Sequence, residues 1–275
     1  AAIGAVVVLM TSTLNRVMVV ELGLPAAVPG ALVALSFGVQ FFLRPHFGHL
    51  SDGRRRTGWI VGGLALLALS GIGASASTLL IEHDRTLGLG AAMVAFLGIG
   101  AGASAAGTPL LALVAELIVP AQRARAAATV WLMMIAGFIV TTVVTSRLLE
   151  PFSLAALVRA TVIVLLVAVG IAMLAMRGLE PAEVPVRAAE AAPASFGAAV
   201  ATVPRDPPAR MFALFILAAL LAFSAQDLIL EPFAGAVFGL TPAETTRVSS
   251  VHQGGMLVGM LICAALATRL GGLRR

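Results

Sequence analysis

Residues 48–56, GHLSDGRRR, set an aspartate and three consecutive arginines between two long apolar runs, 26–44 and 58–81. So polar a stretch, flanked by runs that carry almost no charge, reads as a loop at the edge of a hydrocarbon layer. Working outward, the apolar runs predict about eight helices, at 1–22, 26–44, 58–81, 87–118, 125–148, 154–176, 210–231 and 246–268, most of them reaching the roughly 20 residues a bilayer core requires. Composition agrees. Of 275 residues 60% are hydrophobic and 11% charged, well below the roughly 25% charge of a soluble domain. The expected fold class is all-α integral membrane.

The 18 basic residues are all arginine, and their placement sets an orientation. The arginine group at 54–56, Arg123 with Arg125, the group Arg177, Arg187, Arg205 and Arg210, and the terminal Arg269, Arg274 and Arg275 fall on alternate loops, which by the positive-inside rule are cytoplasmic. Scattered between apolar runs, these arginines account for the net charge of +5 without a nucleic-acid partner. Cys263 is a lone cysteine, which excludes an internal disulfide or a cysteine metal site. The first run begins at Ala1 with neither a basic flank nor a signal-peptide pattern, as expected if the numbering starts inside a helix.

Residues 177–209, rich in Pro, Ala and charge, read as a cytoplasmic linker with a short interfacial helix around 195–203. They divide a six-helix lobe, 1–176, from a second unit, 210–275. The stretch from Gly23 to Arg56 and the stretch from Gly239 to Arg275 both open on Gly-Leu with a nearby proline, run through an apolar helix and close on glycine and arginine after nearly the same length. The seventh and eighth helices therefore read as counterparts of the first and second, the architecture of a transporter built from two repeats. On that reading four further helices of the second lobe are expected beyond the chain, which is either a piece of a twelve-span protein or a shortened relative.

GHLSDGRRR resembles the cytoplasmic loop signature of the major facilitator superfamily. The resemblance implies that Gly48 and Gly53 permit close packing, that Asp52 holds the loop against a base or helix end, and that Arg54 to Arg56 anchor it at the cytoplasmic face. Four more stretches, TLNRVMVVELGLPA (13–26), LVAELIVPAQRARAAATVWLMMIAGFIV (113–140), SRLLEPFSLAALVR (146–159) and SAQDLILEPFAGAVFGLTPAETT (224–246), are similar to the bacteriochlorophyll delivery branch of that superfamily, the PucC-type light-harvesting assembly factors. This implies a protein of the photosynthetic inner membrane of bacteria, working with antenna polypeptides and the reaction centre, with bacteriochlorophyll as cargo and carotenoid or lipid as further apolar ligands. A proton-coupled solute transporter of the same fold and a purely structural membrane subunit are the alternatives. No Walker lysine, Gly-x-Ser-x-Gly elbow or His-Glu-x-x-His motif occurs, so an enzyme is not expected.

Asp227 and Glu231 stand one helical turn apart near the end of the seventh run. With Pro232 taken as the helix end, both fall at headgroup level, avoiding the roughly 2.5–3.5 kcal/mol that an ionised acid costs at the bilayer centre. Asn15, Arg16 and Glu21 close the first run, and an ion pair from Arg16 to Asp227 or Glu231 is expected to clamp the two lobes. Glu116 is expected to make a similar cytoplasmic pair. A pigment magnesium needs an axial nitrogen or oxygen ligand, and His252 with Gln253, followed by Gly254 and Gly255, is the best candidate, the glycines letting a flat macrocycle approach the backbone. His46 and His49 lack the further ligands of a zinc site, so no metal site is expected. GIGAGASAAG (98–107) reads as a close-packing surface, and WLMM (131–134) as core packing before a soft surface for an apolar ligand.

Overall fold

The computed structural model describes residues 2–51, 55–119, 122–178 and 206–269. Asp52, Gly53 and Arg54 of the loop motif, the linker from 179 to 205 with its expected interfacial helix, and the side chains of Arg123, Arg125 and Cys263 lie outside the described residues. Within them the chain is helical: α1 (Ala2–Glu21), α2 (Ala27–Ser51), α3 (Arg56–His83), α4 (Arg85–Leu117), α5 (Arg123–Leu148), α6 (Leu154–Met176), α7 (Pro207–Phe238) and α8 (Pro242–Arg269). Among the described residues, seven helices, α1 to α7, are long and apolar enough to cross a membrane. The eighth expected span falls on α8, whose 28 residues are ample in length but whose first half carries Thr245, Thr246, Arg247, Ser249, Ser250, His252 and Gln253.

Three ends differ from expectation by four residues or more. α2 continues through Pro45 to Ser51, and α7 continues through Pro232 to Phe238, where Gly239 closes it at φ 66° in the left-handed region that a glycine adopts without strain. α8 starts at Pro242 rather than 246: Thr241 and Glu244 form a capping box, Thr241 donating its N–H (2.8 Å) and Oγ1 (2.9 Å) to Glu244 Oε2 while the Glu244 N–H donates to Thr241 Oγ1. Proline in the first turn suits a position whose N–H has no intrahelical acceptor.

α1 is the most enclosed helix, touching α3, α4, α5, α6, α7 and α8. Val17 and Met18 within it have no exposed surface. Its winding widens to π-helix over Leu9–Leu14 and again over Val17–Glu21, a form often found at functional positions. Beside it α3 and α4 pack closely because glycines remove the side chains between them. A Cβ on Gly63 would lie 2.4 Å from the Ala106 nitrogen, and one on Gly102 would lie 2.6 Å from the Leu67 nitrogen. Gly100 does the same for α2, where an added Cβ would lie 2.5 Å from the Ser36 carbonyl oxygen. The run 98–107 is thus a packing surface, as helix association among lipids requires.

The loops after α1, α3, α5 and α7 gather at one end, termed the odd-loop end. Arg85 donates to the Gly23 carbonyl (3.2 Å), Arg247 reaches Glu150 (3.5 Å), and Arg16 reaches the Leu240 carbonyl (2.6 Å). At the opposite, even-loop end Arg56 pairs with Glu116.

Candidate functional site

The site begins with a backbone defect. Proline at 232 has no N–H, so the carbonyl four residues back, Leu228, loses its helical donor. Asn15 Nδ2, from the middle of α1, donates to that carbonyl at 2.5 Å. Asn15 is 3% exposed and is the only asparagine in the chain. A side chain from another helix thus closes the gap, which is how membrane helices tolerate internal proline.

Because α7 does not end at Pro232, Asp227 and Glu231 are not at its tip. Glu231 precedes Phe238 by seven residues, about 10 Å along the axis at 1.5 Å per residue, and Asp227 lies one turn deeper. The placement of both at the helix end is therefore corrected, since the helix runs on past Pro232. Glu231 is fully buried, with 0% exposure, while Asp227 is half-buried.

Arg16 is also buried and does not form the expected ion pair with either acid. Its Nη1 donates to Glu21, five residues on in its own helix, and its Nη2 to the Leu240 carbonyl in the loop after α7. The π-winding explains the choice, since a helix closed by i to i+5 contacts stacks residue 21 over residue 16. The guanidinium then lies over α7 at Gly235, where an added Cβ would sit 3.0 Å from Nε. Arg16 and Glu231 remain within electrostatic reach of each other.

Around Glu231 the neighbours are hydroxyls. Ser249 Oγ donates to Glu231 Oε1 at 2.5 Å, and Thr13 of α1 meets Thr246 of α8 through their hydroxyls at 3.3 Å. Thr246, Ser249, Ser250 and Gln253 recur every three or four residues, so they form one face of α8, and all four are buried. α5 packs along α8 and buries Thr141, Thr142, Thr145 and Ser146. Most of these hydroxyls are occupied, Thr142 with Phe138 O and Ser250 with Arg247 O among them. Three buried oxygens have no partner among the described residues: Glu231 Oε2, Gln253 Oε1 and Thr145 Oγ1. Thr13, Thr145, Thr246 and Ser249 were not anticipated as site residues. Their signal, hydroxyls at helical spacing on two runs, was present, but nothing in either run showed that the two would pack together.

His252 is half-buried on α8, its Nε2 is buried with no hydrogen-bond partner, and Asp227 lies within electrostatic reach of it. A Cβ added to Gly254 or Gly255 would meet nothing within 4 Å. Gln253, only 2% exposed, turns to the hydroxyl face instead. At the loop end of α8, outside the apolar spans, the bonds from Thr241 hold the exposed Glu244 carboxyl below its ordinary range.

The remaining candidates are dispersed. Gly48 faces Thr108 at 3.6 Å for an added Cβ, and Arg56, 6% exposed, bonds Glu116 at 2.7 Å. That is the pair Glu116 makes at this end, with a partner from α3. His46 and His49 are exposed on the last turns of α2, His83 is exposed at the end of α3, and no group of three or more His, Cys, Asp and Glu able to hold a metal ion occurs among the described residues. In 131–134, Trp131 and Met133 are exposed rather than core, while Leu132 and Met134 are half-buried, Met134 beside Gly4.

A family model described as "PUCC protein" matches residues 13–274. The chain is 42% identical over 282 residues to the bacteriochlorophyll synthase 44.5 kDa chain of Rhodobacter capsulatus, covering 99% of this chain and 64% of that relative. It is 32% identical to an uncharacterized protein in the puhA-bchM intergenic region of Rhodobacter capsulatus, over 94% of this chain and 57% of the relative. To the protein PucC of the same organism it is 30% identical, over 94% and 59% respectively. The chain thus spans less than two thirds of the length of these relatives. No solved structure matches it.

Proposed function

The chain belongs to the PUCC protein family, and from that premise we propose that it handles bacteriochlorophyll within the bacterial inner membrane, delivering it to antenna polypeptides during light-harvesting complex assembly. The names of its relatives, a bacteriochlorophyll synthase chain and PucC, support the pigment class. The observation that carries the reading is His252: a buried ring nitrogen without a partner, beside two glycines that leave open space. A neutral imidazole nitrogen with a free lone pair is a metal ligand in waiting. A bound pigment would bring a magnesium ion able to take one nitrogen or oxygen ligand from the protein. His252 supplies the lone pair, Gly254 and Gly255 let a flat ring approach the backbone, and Asp227 is placed to bias the imidazole tautomer.

The proposed fold is that of the major facilitator superfamily, with the linker on the cytoplasmic side. Contact between α1 and α7, counterparts in the doubled unit, supports it. Affinity purification from photosynthetic membranes tests the function. The tagged chain is expected to bring down bacteriochlorophyll and antenna polypeptides together, and His252→Leu to keep the polypeptides while losing pigment. A pigment-free chain recovered from pigment-rich membranes contradicts the reading.

A further inference from the structure

α1 reaches the second unit through polar anchors near its end: Thr13 to Thr246, Asn15 to the Leu228 carbonyl and Arg16 to the Leu240 carbonyl. Arg16 differs from the other two in what it leaves unmade. Its side chain is buried and uses two of its three nitrogens, Nη1 on Glu21 and Nη2 on the Leu240 carbonyl, while Nε is a buried donor with no acceptor among the described residues. Glu231, fully buried, has the complementary defect: Oε1 accepts from Ser249, and Oε2 is a buried acceptor with no donor. Thr246 lies near Glu231 as well, but its hydroxyl engages Thr13 and Oε2 stays without a donor.

The two defects are neighbours along α7. Arg16 Nε rests against Gly235, where an added Cβ would sit 3.0 Å away, and Glu231 stands one turn before Gly235 on the same face of that helix. The guanidinium and the carboxylate already feel one another's charge. Yet Arg16 gives Nη1 to Glu21, whose side chain is 33% exposed and screened by water, rather than to the carboxylate that water does not reach. An exposed ion pair contributes little, whereas an unmade bond on a buried charge is costly. What holds the guanidinium in place is therefore the winding of its helix. Over Val17–Glu21 the π turn stacks residue 21 on residue 16. In α-winding residue 20 takes that position and residue 21 turns away by about 100°. Residue 20 is valine, whose side chain offers no acceptor, so Arg16 is then released to turn along α7 toward Glu231.

We propose that Arg16 is the moving part of a two-position latch between α1 and α7. In the position seen it bonds Glu21 and the Leu240 carbonyl. In the second, the last turns of α1 rewind from π to α, Glu21 passes into water at the odd-loop end, and Arg16 turns Nε onto Glu231 Oε2, so that two buried groups without partners satisfy each other. Because Ser249 holds the other oxygen, that carboxylate then ties α1, α7 and α8 together. The latch uses none of Asp227, His252, Gly254 and Gly255, so it stands or falls apart from the pigment reading.

The test uses the full chain in lipid nanodiscs with isotope-labelled arginine, following the Nε–H resonance of Arg16, identified as the one lost in Arg16→Lys. Glu21→Leu removes the carboxylate that holds Nη1 and is expected to populate the second position. The Nε–H proton should then shift downfield, the direction given by donation to a carboxylate. Adding Glu231→Gln replaces that carboxylate by a neutral amide and is expected to bring the resonance back toward its wild-type place. A resonance unmoved by Glu21→Leu, or displaced just as far in the double variant, overturns the proposal. Should Glu21→Leu/Glu231→Gln not fold, Glu21→Leu/Glu231→Asp decides, because the shorter acid draws its oxygens back toward α7: a smaller displacement than in Glu21→Leu supports the latch, and an equal one overturns it.

Discussion

Replacing Asn15 by leucine removes the donor to the Leu228 carbonyl while keeping side-chain volume close. The carbonyl cannot turn to its own helix, because residue 232 is proline and has no N–H. Leaving a buried acceptor unmade costs about 1–3 kcal/mol in proteins generally, and interhelical bonds in membranes average about 0.6 kcal/mol with a maximum near 1.7. At 2.5 Å, between a buried donor and a half-buried acceptor residue, the Asn15 bond belongs toward the upper part of the membrane range, about 1–1.7 kcal/mol. The discriminating experiment is a cycle with Pro232→Ala, read from reversible unfolding in mixed detergent and denaturant micelles. Alanine restores the N–H at 232, so the carbonyl recovers an intrahelical donor and Asn15→Leu should then cost little. The double variant is expected to be more stable than the sum of the singles by about 1 kcal/mol. Additivity within about 0.3–0.5 kcal/mol would refute the link between the asparagine and the proline.

Adjacent glycines of α3 should behave oppositely. Gly63→Ala forces a Cβ to 2.4 Å from α4 backbone and is expected to destabilise by about 1–3 kcal/mol, whereas Gly62→Ala meets nothing within 4 Å and should be neutral or stabilising by up to about 1 kcal/mol; paired melting curves check both. Glu116→Gln breaks a pair whose carboxylate is 58% exposed, so a loss of at most about 1 kcal/mol, shrinking in high salt, is expected from melts at two ionic strengths. Glu244 is held below its ordinary 4.5, so its cap adds stability above that pH and loses it as pH falls through the lower folded value; an acid titration of the unfolding midpoint should be flatter in Glu244→Gln.

The helices could be read in advance because charge and hydropathy partition so sharply: the arginines at 54–56, Asp84 and the proline-rich stretch after Met176 all fall where helices end. Pro232 misled because what sustains α7 beyond it is not local. The compensating donor is 217 positions away, on a different helix. The start of α8 was legible, since Thr241, Pro242 and Glu244 form a complete capping signature, but the apolar pattern that begins later obscured it. At the site, the meeting of α1 with α7 was foreseen and the partner of Arg16 was not, because helical periodicity assumes 3.6 residues per turn and α1 is wound more loosely there. The threonines of α5 and serines of α8 look like dilute polarity within apolar runs, and only their packing makes them a seam.

The central claim, that this chain handles bacteriochlorophyll through His252, is tested most directly by titrating bacteriochlorophyll into pigment-free chain reconstituted in nanodiscs and recording the red absorption band against empty nanodiscs. A saturable shift at one pigment per chain, abolished in His252→Leu and retained in His83→Leu, is the predicted result. The same shift at the same midpoint in His252→Leu would contradict it.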